Sequence, residues 1–151
     1  MTTSAAVRKY WNTHIHDLEI SRHPPGSPGF FGDLDAYHFE KLHHLLRLVD
    51  FNAWGGRAVL DVGCGAGVEV VRLARGGARV VGLDLADSAA ALTRQNLMQQ
   101  GLNAGVTSAD AEALPFPDNT FDFVYAHGVI QYASDVRRVL AECHRVVPPG
   151  G

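Results

Sequence analysis

The 151-residue sequence has only two cysteines, Cys64 and Cys143, and neither has a CxxC or CxxH partner. That scarcity argues against a disulfide framework and against a zinc site. No segment is apolar for long enough to span a bilayer, and the opening MTTSAAVRKYWNTHIHD lacks the apolar stretch of a secretion signal. An excess of one charge is missing too. Thirteen Lys and Arg stand against 16 Asp and Glu, a formal charge of −3, and the basic residues are scattered. A nucleic-acid backbone would find no electrostatic footprint here. The length suits one domain with a real hydrophobic core, and the expected setting is the cytoplasm.

What is present is punctuation followed by rhythm. Residues 4–16 read as a short helix with Ser4 as its cap, and residues 23–33, rich in proline and glycine, read as loop. A second helix is expected from Leu34 to Val49, with Leu42, Leu45, Leu46 and Val49 on one face. From Ala58 the pattern alternates. AVLDV, RVVGLD, AGVTSAD and FDFVYA read as strands, separated by the helical stretches VEVVRLAR and DSAAALTRQNLMQQ and followed by DVRRVLAECHRVV. Asp87 is the expected cap of the second of these helices. Near-continuous apolar strands alternating with helices predict an α/β fold, a Rossmann-like doubly wound parallel sheet with helices on both faces. Right-handed crossovers then bring the carboxyl ends of the strands to one edge, where ligands bind. The division expected is an N-terminal helical segment over residues 1–55 and an α/β core over residues 56–151.

At that edge the first strand runs into Asp61-Val-Gly63-Cys64-Gly65-Ala-Gly67. Glycines at 63, 65 and 67 allow a sharp turn and close approach of a ligand. Position 68 is valine, so the dinucleotide pattern GxGxxG is not met. Asp61 weighs more. A pyrophosphate beside it would meet like-charge repulsion, whereas S-adenosylmethionine, with an ammonium, a sulfonium and no phosphate, would gain from it, directly or through water. Asp84 ends the second strand and can accept both hydroxyls of a ribose diol. Asp110 follows the third strand and can accept from an adenine amine, while the Ala111 amide donates to a ring nitrogen. Each acid also has a plainer reading: a turn brace for Asp61, a cap for Asp84, a surface turn for Asp110.

VLDVGCGAG, VVGLD, ADAEALPFPDNTFDFVYAHGVIQY and AECHRVVPPGG together resemble class I S-adenosylmethionine-dependent methyltransferases of the type 11, UbiE-like group. The resemblance covers residues 56 to 151. It implies that the methionine portion lies against Asp61, Gly63, Cys64, Gly65 and Gly67, the ribose against Asp84 with Leu85 nearby, and the adenine against Asp110 and Ala111. Ala126 and His127 would lie near the sulfonium. Many members carry two histidines where this chain has Gln131-Tyr132, so a role for those histidines does not transfer. The resemblance implies a small-molecule methyl acceptor; the N-terminal segment should line part of its pocket, and the Leu, Phe and Tyr there permit a lipid, quinone or aromatic compound without selecting one, with no metal expected.

A sulfonium donor is already activated, so holding donor and acceptor in line matters most, and a base is needed only for a protonated acceptor. His127 has the chemistry for that, although backbone contact is its expected part. His14, His16, His23, His38, His43, His44 and His144 form no metal-like pattern. Tyr10 and Trp11 are expected either to cover the cofactor or to pack on the core. Two other functions stay open: a nicotinamide-dependent oxidoreductase and a non-catalytic S-adenosylmethionine-binding module. HRVVPPGG ends where the family turns into a fifth strand. The expectation is a fragment with sheet order 3-2-1-4 and FDFVYA at its edge, or a natural short form that pairs two fourth strands.

Overall fold

The computed structural model describes residues 3–14 and 17–150. Four parallel strands form one sheet: β1 Ala58–Val62, β2 Arg79–Asp84, β3 Gly105–Ser108 and β4 Phe123–Ala126, in the order β3-β2-β1-β4. The order is the one expected from the sequence. Strand β1 is central and β4 an edge, and four of the five β1 residues are buried, as a doubly covered strand requires.

Side-chain alternation divides the core into two layers. Val59 and Tyr125 join Phe30, Phe31 and Leu34 from helix α2 (Pro28–Lys41) and Val70 and Leu73 from α4 (Val68–Arg75). Leu60, Val62 and Leu83 face the other way, against Leu114, Phe121 and Val146 beyond helix α6 (Val136–Arg145). Asp61 shares the face of Val59, so its carboxylate points to the α2 and α4 side. Helix α5 (Asp87–Gln99) covers β2 and β3, and α1 (Ser4–Thr13) packs on α5.

Several local expectations need correction. Residues 28–33 are helix, not loop. Ser27 accepts a hydrogen bond from the Phe30 amide at 3.2 Å and Pro28 takes the first helical position, where its missing N–H costs nothing. Pro28 is a helix start, while Pro24 and Pro25 lie in the turn before it. The expected continuous helix to Val49 is also broken: α2 stops at Lys41, and a separate turn, α3, covers Leu45–Leu48. With the phase lost, Leu45 is buried while Leu46 and Leu48 are exposed. Thr3, not Ser4, caps α1 through the Ala6 amide, and the far end of that expected helix, residues 15 and 16, lies outside the described residues. Ala86 precedes α5 without a side-chain cap and Asp87 is its first helical residue. Its contribution is a favourable charge at the helix's positive end.

Edge strand β4 is less bare than expected. Tyr125 is buried, and Trp54 stacks on Phe123 with ring centroids 4.2 Å apart. On α6, Val139 is buried, but Val136 and Leu140 stay exposed.

Candidate cofactor site

The carboxyl ends of the strands open into a cavity of about 400 Å³, within the range of small-molecule sites. Its floor is the glycine loop. Gly63, Gly65 and Gly67 all adopt positive φ (78°, 54° and 80°), a region costly for other L-residues. The amides of Gly63 and Cys64 donate to the Leu83 carbonyl at 2.7 and 3.0 Å. Helix α5 holds the loop from behind. Thr93 Oγ1 donates to the Gly65 carbonyl at 2.9 Å, and Asn96 Nδ2 donates to the Ala66 carbonyl at 3.0 Å. A Cβ built on Gly63 would lie 2.6 Å from Val129, and one on Gly67 2.8 Å from Thr93, whereas one on Gly65 would meet nothing within 4 Å. Gly65 therefore fronts open space. The loop is rigid, and its middle is clear for a ligand.

Asp84 holds two loops together. Its Oδ2 accepts from the Gly65 amide at 3.0 Å and its Oδ1 from the Ala86 amide at 2.9 Å. Burial lifts its pKa above the usual carboxylate value, partly offset by those amides. The Leu85 amide also favours its charged form, and the carboxylate still keeps acceptor capacity for a diol. Asp110 Oδ1 accepts from the Glu112 amide at 2.9 Å, closing the turn after β3. The turn reading and the cavity reading hold together for both acids, since both also line the cavity.

Gly63, Cys64, Gly65, Leu85, Ala111 and His127 line the cavity as well, while Asp61, Gly67 and Ala126 do not. Cys64 is buried, its thiol pKa pushed up by burial and by the Asp61 charge, with Thr93 Oγ1 3.4 Å from its sulfur. Asp61 sits beneath the floor, 2% exposed, with Oδ2 lacking a hydrogen-bond partner among the described residues. Burial, then the Glu69 and Asp84 charges, raise its pKa well above the ordinary value.

The N-terminal helix lies over the mouth. Arg8 Nε donates to the Leu85 carbonyl at 2.9 Å, and the Ser88 amide donates to Asn12 Oδ1 at 3.2 Å. Trp11 lines the cavity and meets Tyr132 edge-on at 5.2 Å. Tyr10 is half exposed and stacks on His14 instead.

Among the acids and histidines of the wall, four carry no site role in the sequence reading: Asp17, His38, Glu69 and Glu112. His38 lies between Asp17 and Glu69, contacts that no local spacing announces. Glu69 did leave a signal, as the one acid in the first turn of a helix otherwise apolar toward the core. In total five carboxylates line the cavity (Asp17, Glu69, Asp84, Asp110, Glu112), and among the described residues no lysine or arginine does. Among the described residues, too, no three His, Cys, Asp or Glu side chains are grouped to hold a metal ion, and no helix is long and apolar enough to cross a membrane.

Such a wall suits a cationic adenosine ligand and opposes a pyrophosphate. Comparisons with known proteins agree. The chain is 37% identical over 120 residues to the Ubiquinone biosynthesis O-methyltransferase of Thiobacillus denitrificans, covering 75% of this chain and 51% of that protein. It is 33% identical over 94 residues to the Sterol 4-C-methyltransferase strm-1 of Caenorhabditis elegans, covering 61% and 28%. It thus spans about half the length, or less, of these two relatives. A SAM dependent methyltransferase from Aquifex aeolicus has the same fold, with a TM-score of 0.67 at 27% identity over 82% of this chain and 68% of that one. Residues 60–151 match the family described as Methyltransferase domain, and the chain belongs to it, as a class I, UbiE-like member.

Proposed function

We propose that the cavity holds S-adenosylmethionine and that the whole protein passes its methyl group to a small-molecule acceptor. The observation that carries this reading is a wall to which the described residues bring five carboxylates and no lysine or arginine, set around a glycine floor with room above Gly65. Gly63 and Gly65 with the N-terminal turn of α4 would receive the methionine end, and Asp84 the ribose diol. Asp110 with the Ala111 amide would receive the adenine. Asp61 would act from beneath, through the floor instead of by contact, in the ionised form that a bound cation favours.

The bound cofactor supplies a methyl already activated on a sulfonium, which departs as a neutral thioether. The chain's task is to orient and to exclude water. Helix α1 is placed for the second part, with Trp11 over the mouth and Arg8 and Asn12 fastened to the segment after β2. Residues 1–55 then serve as lid and partial acceptor wall above the core of residues 56–151. Leu34, Tyr37 and Leu42 line the same cavity, and their apolar and aromatic surface suits a quinone-like, aromatic or lipid acceptor. His127 lines the wall as well. Its backbone contributes contact, and its ring is the group available to take a proton from a hydroxyl acceptor.

Single-turnover transfer to a panel of quinol, catechol and lipid acceptors tests the activity. Transfer to one of them is the expected result. A protein that binds the cofactor but methylates none of them would be a binding module instead.

A further inference from the structure

Glu69 stands where the glycine loop meets α4, and it is 7% exposed on the cavity wall. Its Oε1 lies 3.0 Å from Nδ1 of His38, and the other ring nitrogen, Nε2, lies 3.1 Å from Asp17 Oδ2. The three residues come from three places: the connection after α1, the last turn of α2, and the first turn of α4. Both ring nitrogens face carboxylate oxygens, so each carries a proton and the ring is an imidazolium. The two acids push its pKa up to about 10.

A strut alone would not need this chemistry, because an apolar side chain of similar size could join α2 to α4 without burying charge. The placement also leaves a surplus. His38 is engaged on both nitrogens, and Oε2 of Glu69 has no hydrogen bond among the described residues. Asp17 from the connection after α1 and Asp84 from β2 line the cavity with Glu69, while Asp61 from β1 and the buried Tyr125 hydroxyl from β4 lie behind the wall, close enough to feel the Glu69 charge. Asp61 Oδ2 and Tyr125 Oη are both buried without a partner among the described residues, on paired residues of neighbouring strands. One imidazolium does not balance the carboxylates around it. The surplus is negative, and it lies beside the floor that would receive the cofactor's methionine end.

We propose that Glu69, held in place by His38, is the carboxylate that receives the α-ammonium of the cofactor's methionine end, with His38 as the positioning residue that ties this seat to Asp17 of the N-terminal segment. The inference rests on the S-adenosylmethionine reading. It also separates two parts for two acids: Glu69 makes the contact on the wall, while Asp61 adds its field from below.

Calorimetry with S-adenosylhomocysteine and with methylthioadenosine, which lacks the amino-acid end, tests it. Glu69→Gln is expected to weaken S-adenosylhomocysteine by about tenfold or more, the scale of a hydrogen bond to a charged group, and to leave methylthioadenosine within about twofold. The unchanged ligand also reports that the pocket is folded. His38→Gln, which removes the charge, should shift the same preference in the same direction. The double variant should be no worse than Glu69→Gln alone, since His38 acts through Glu69. Should Glu69→Gln fail to fold, the preference measured on His38→Gln decides. Equal losses for both ligands, no loss for either, or additive losses in the double variant would overturn the proposal. If the unaltered protein binds neither ligand, the cofactor reading itself is wrong and the seat falls with it.

Discussion

The Gly65 amide donates a 3.0 Å hydrogen bond to Asp84 Oδ2, so the end of β2 holds the turn that follows β1. One carboxylate thus shapes the floor of the cavity and lines its wall. Asp84→Ala should weaken S-adenosylhomocysteine binding by about 1.5–3 kcal/mol, the value of hydrogen bonds to a charged group. The fold should survive, because the freed Gly65 and Ala86 amides lie at the cavity and can turn to water. Native circular dichroism with unchanged affinity would reduce Asp84 to a turn brace.

Two glycines of the same loop should respond differently to alanine. At Gly63 the new methyl would press on Val129, 2.6 Å from the built Cβ, and at Gly65 it would meet nothing. Gly63→Ala should therefore cost about 2–4 kcal/mol of stability, from positive φ and overpacking together. Gly65→Ala should cost only the backbone part, about 1–2 kcal/mol, yet lose cofactor affinity because its methyl enters the ligand's space. Chemical denaturation and calorimetry on the pair check this. A Gly65 variant that binds as the unaltered protein does would place the ligand elsewhere.

His38 gives stability a dependence on alkaline pH. Its folded pKa of about 10 lies above its ordinary value of 6.5. The contribution is therefore fully present below pH 6.5 and is lost as pH rises toward 10. Melting temperatures of the unaltered protein should fall across that window, and His38→Gln should flatten the fall. Parallel profiles for the two proteins would show that His38 is not charged in the folded state.

Asp61 carries the opposite sign. Burial holds its pKa well above the ordinary 3.8, so its ionisation opposes folding increasingly as pH rises above that value. Without cofactor, Asp61→Asn should be more stable than the unaltered protein at neutral pH, and the gain should vanish near pH 4. The variant should also lose S-adenosylhomocysteine affinity, by a smaller factor than Glu69→Gln. A loss of stability at neutral pH would show that the charge is compensated in the fold.

The sheet was legible because β1, β2 and β4 are short apolar runs ended by Asp61, Asp84 and Ala126-His127, and parallel strands buried on both faces leave little freedom of order. Asp84, Asp110 and the glycines were legible for a related reason. Their roles follow from strand ends, which chain order places at one edge. The N-terminal third was read less well. Pro28 was taken for a breaker when Ser27 makes it a start, and the leucines after His44 lost their phase at a break that periodicity does not mark. The Asp17–His38–Glu69 bridge was out of reach, since it joins residues 21 and 31 positions apart through tertiary packing. Asp61 was assigned to the right end of the strand. Its burial beneath the floor depended on which face β1 turns to α4, and a strand apolar on both faces does not reveal that.

An acidic, glycine-floored cavity of this kind should take a cationic adenosine ligand and reject a dinucleotide. Titration calorimetry of the unaltered chain with S-adenosylmethionine, S-adenosylhomocysteine, NAD and NADP tests it most directly. Saturable one-to-one binding of the first two is expected, with no heat from NAD or NADP. Micromolar binding of NAD with none of S-adenosylmethionine would contradict it.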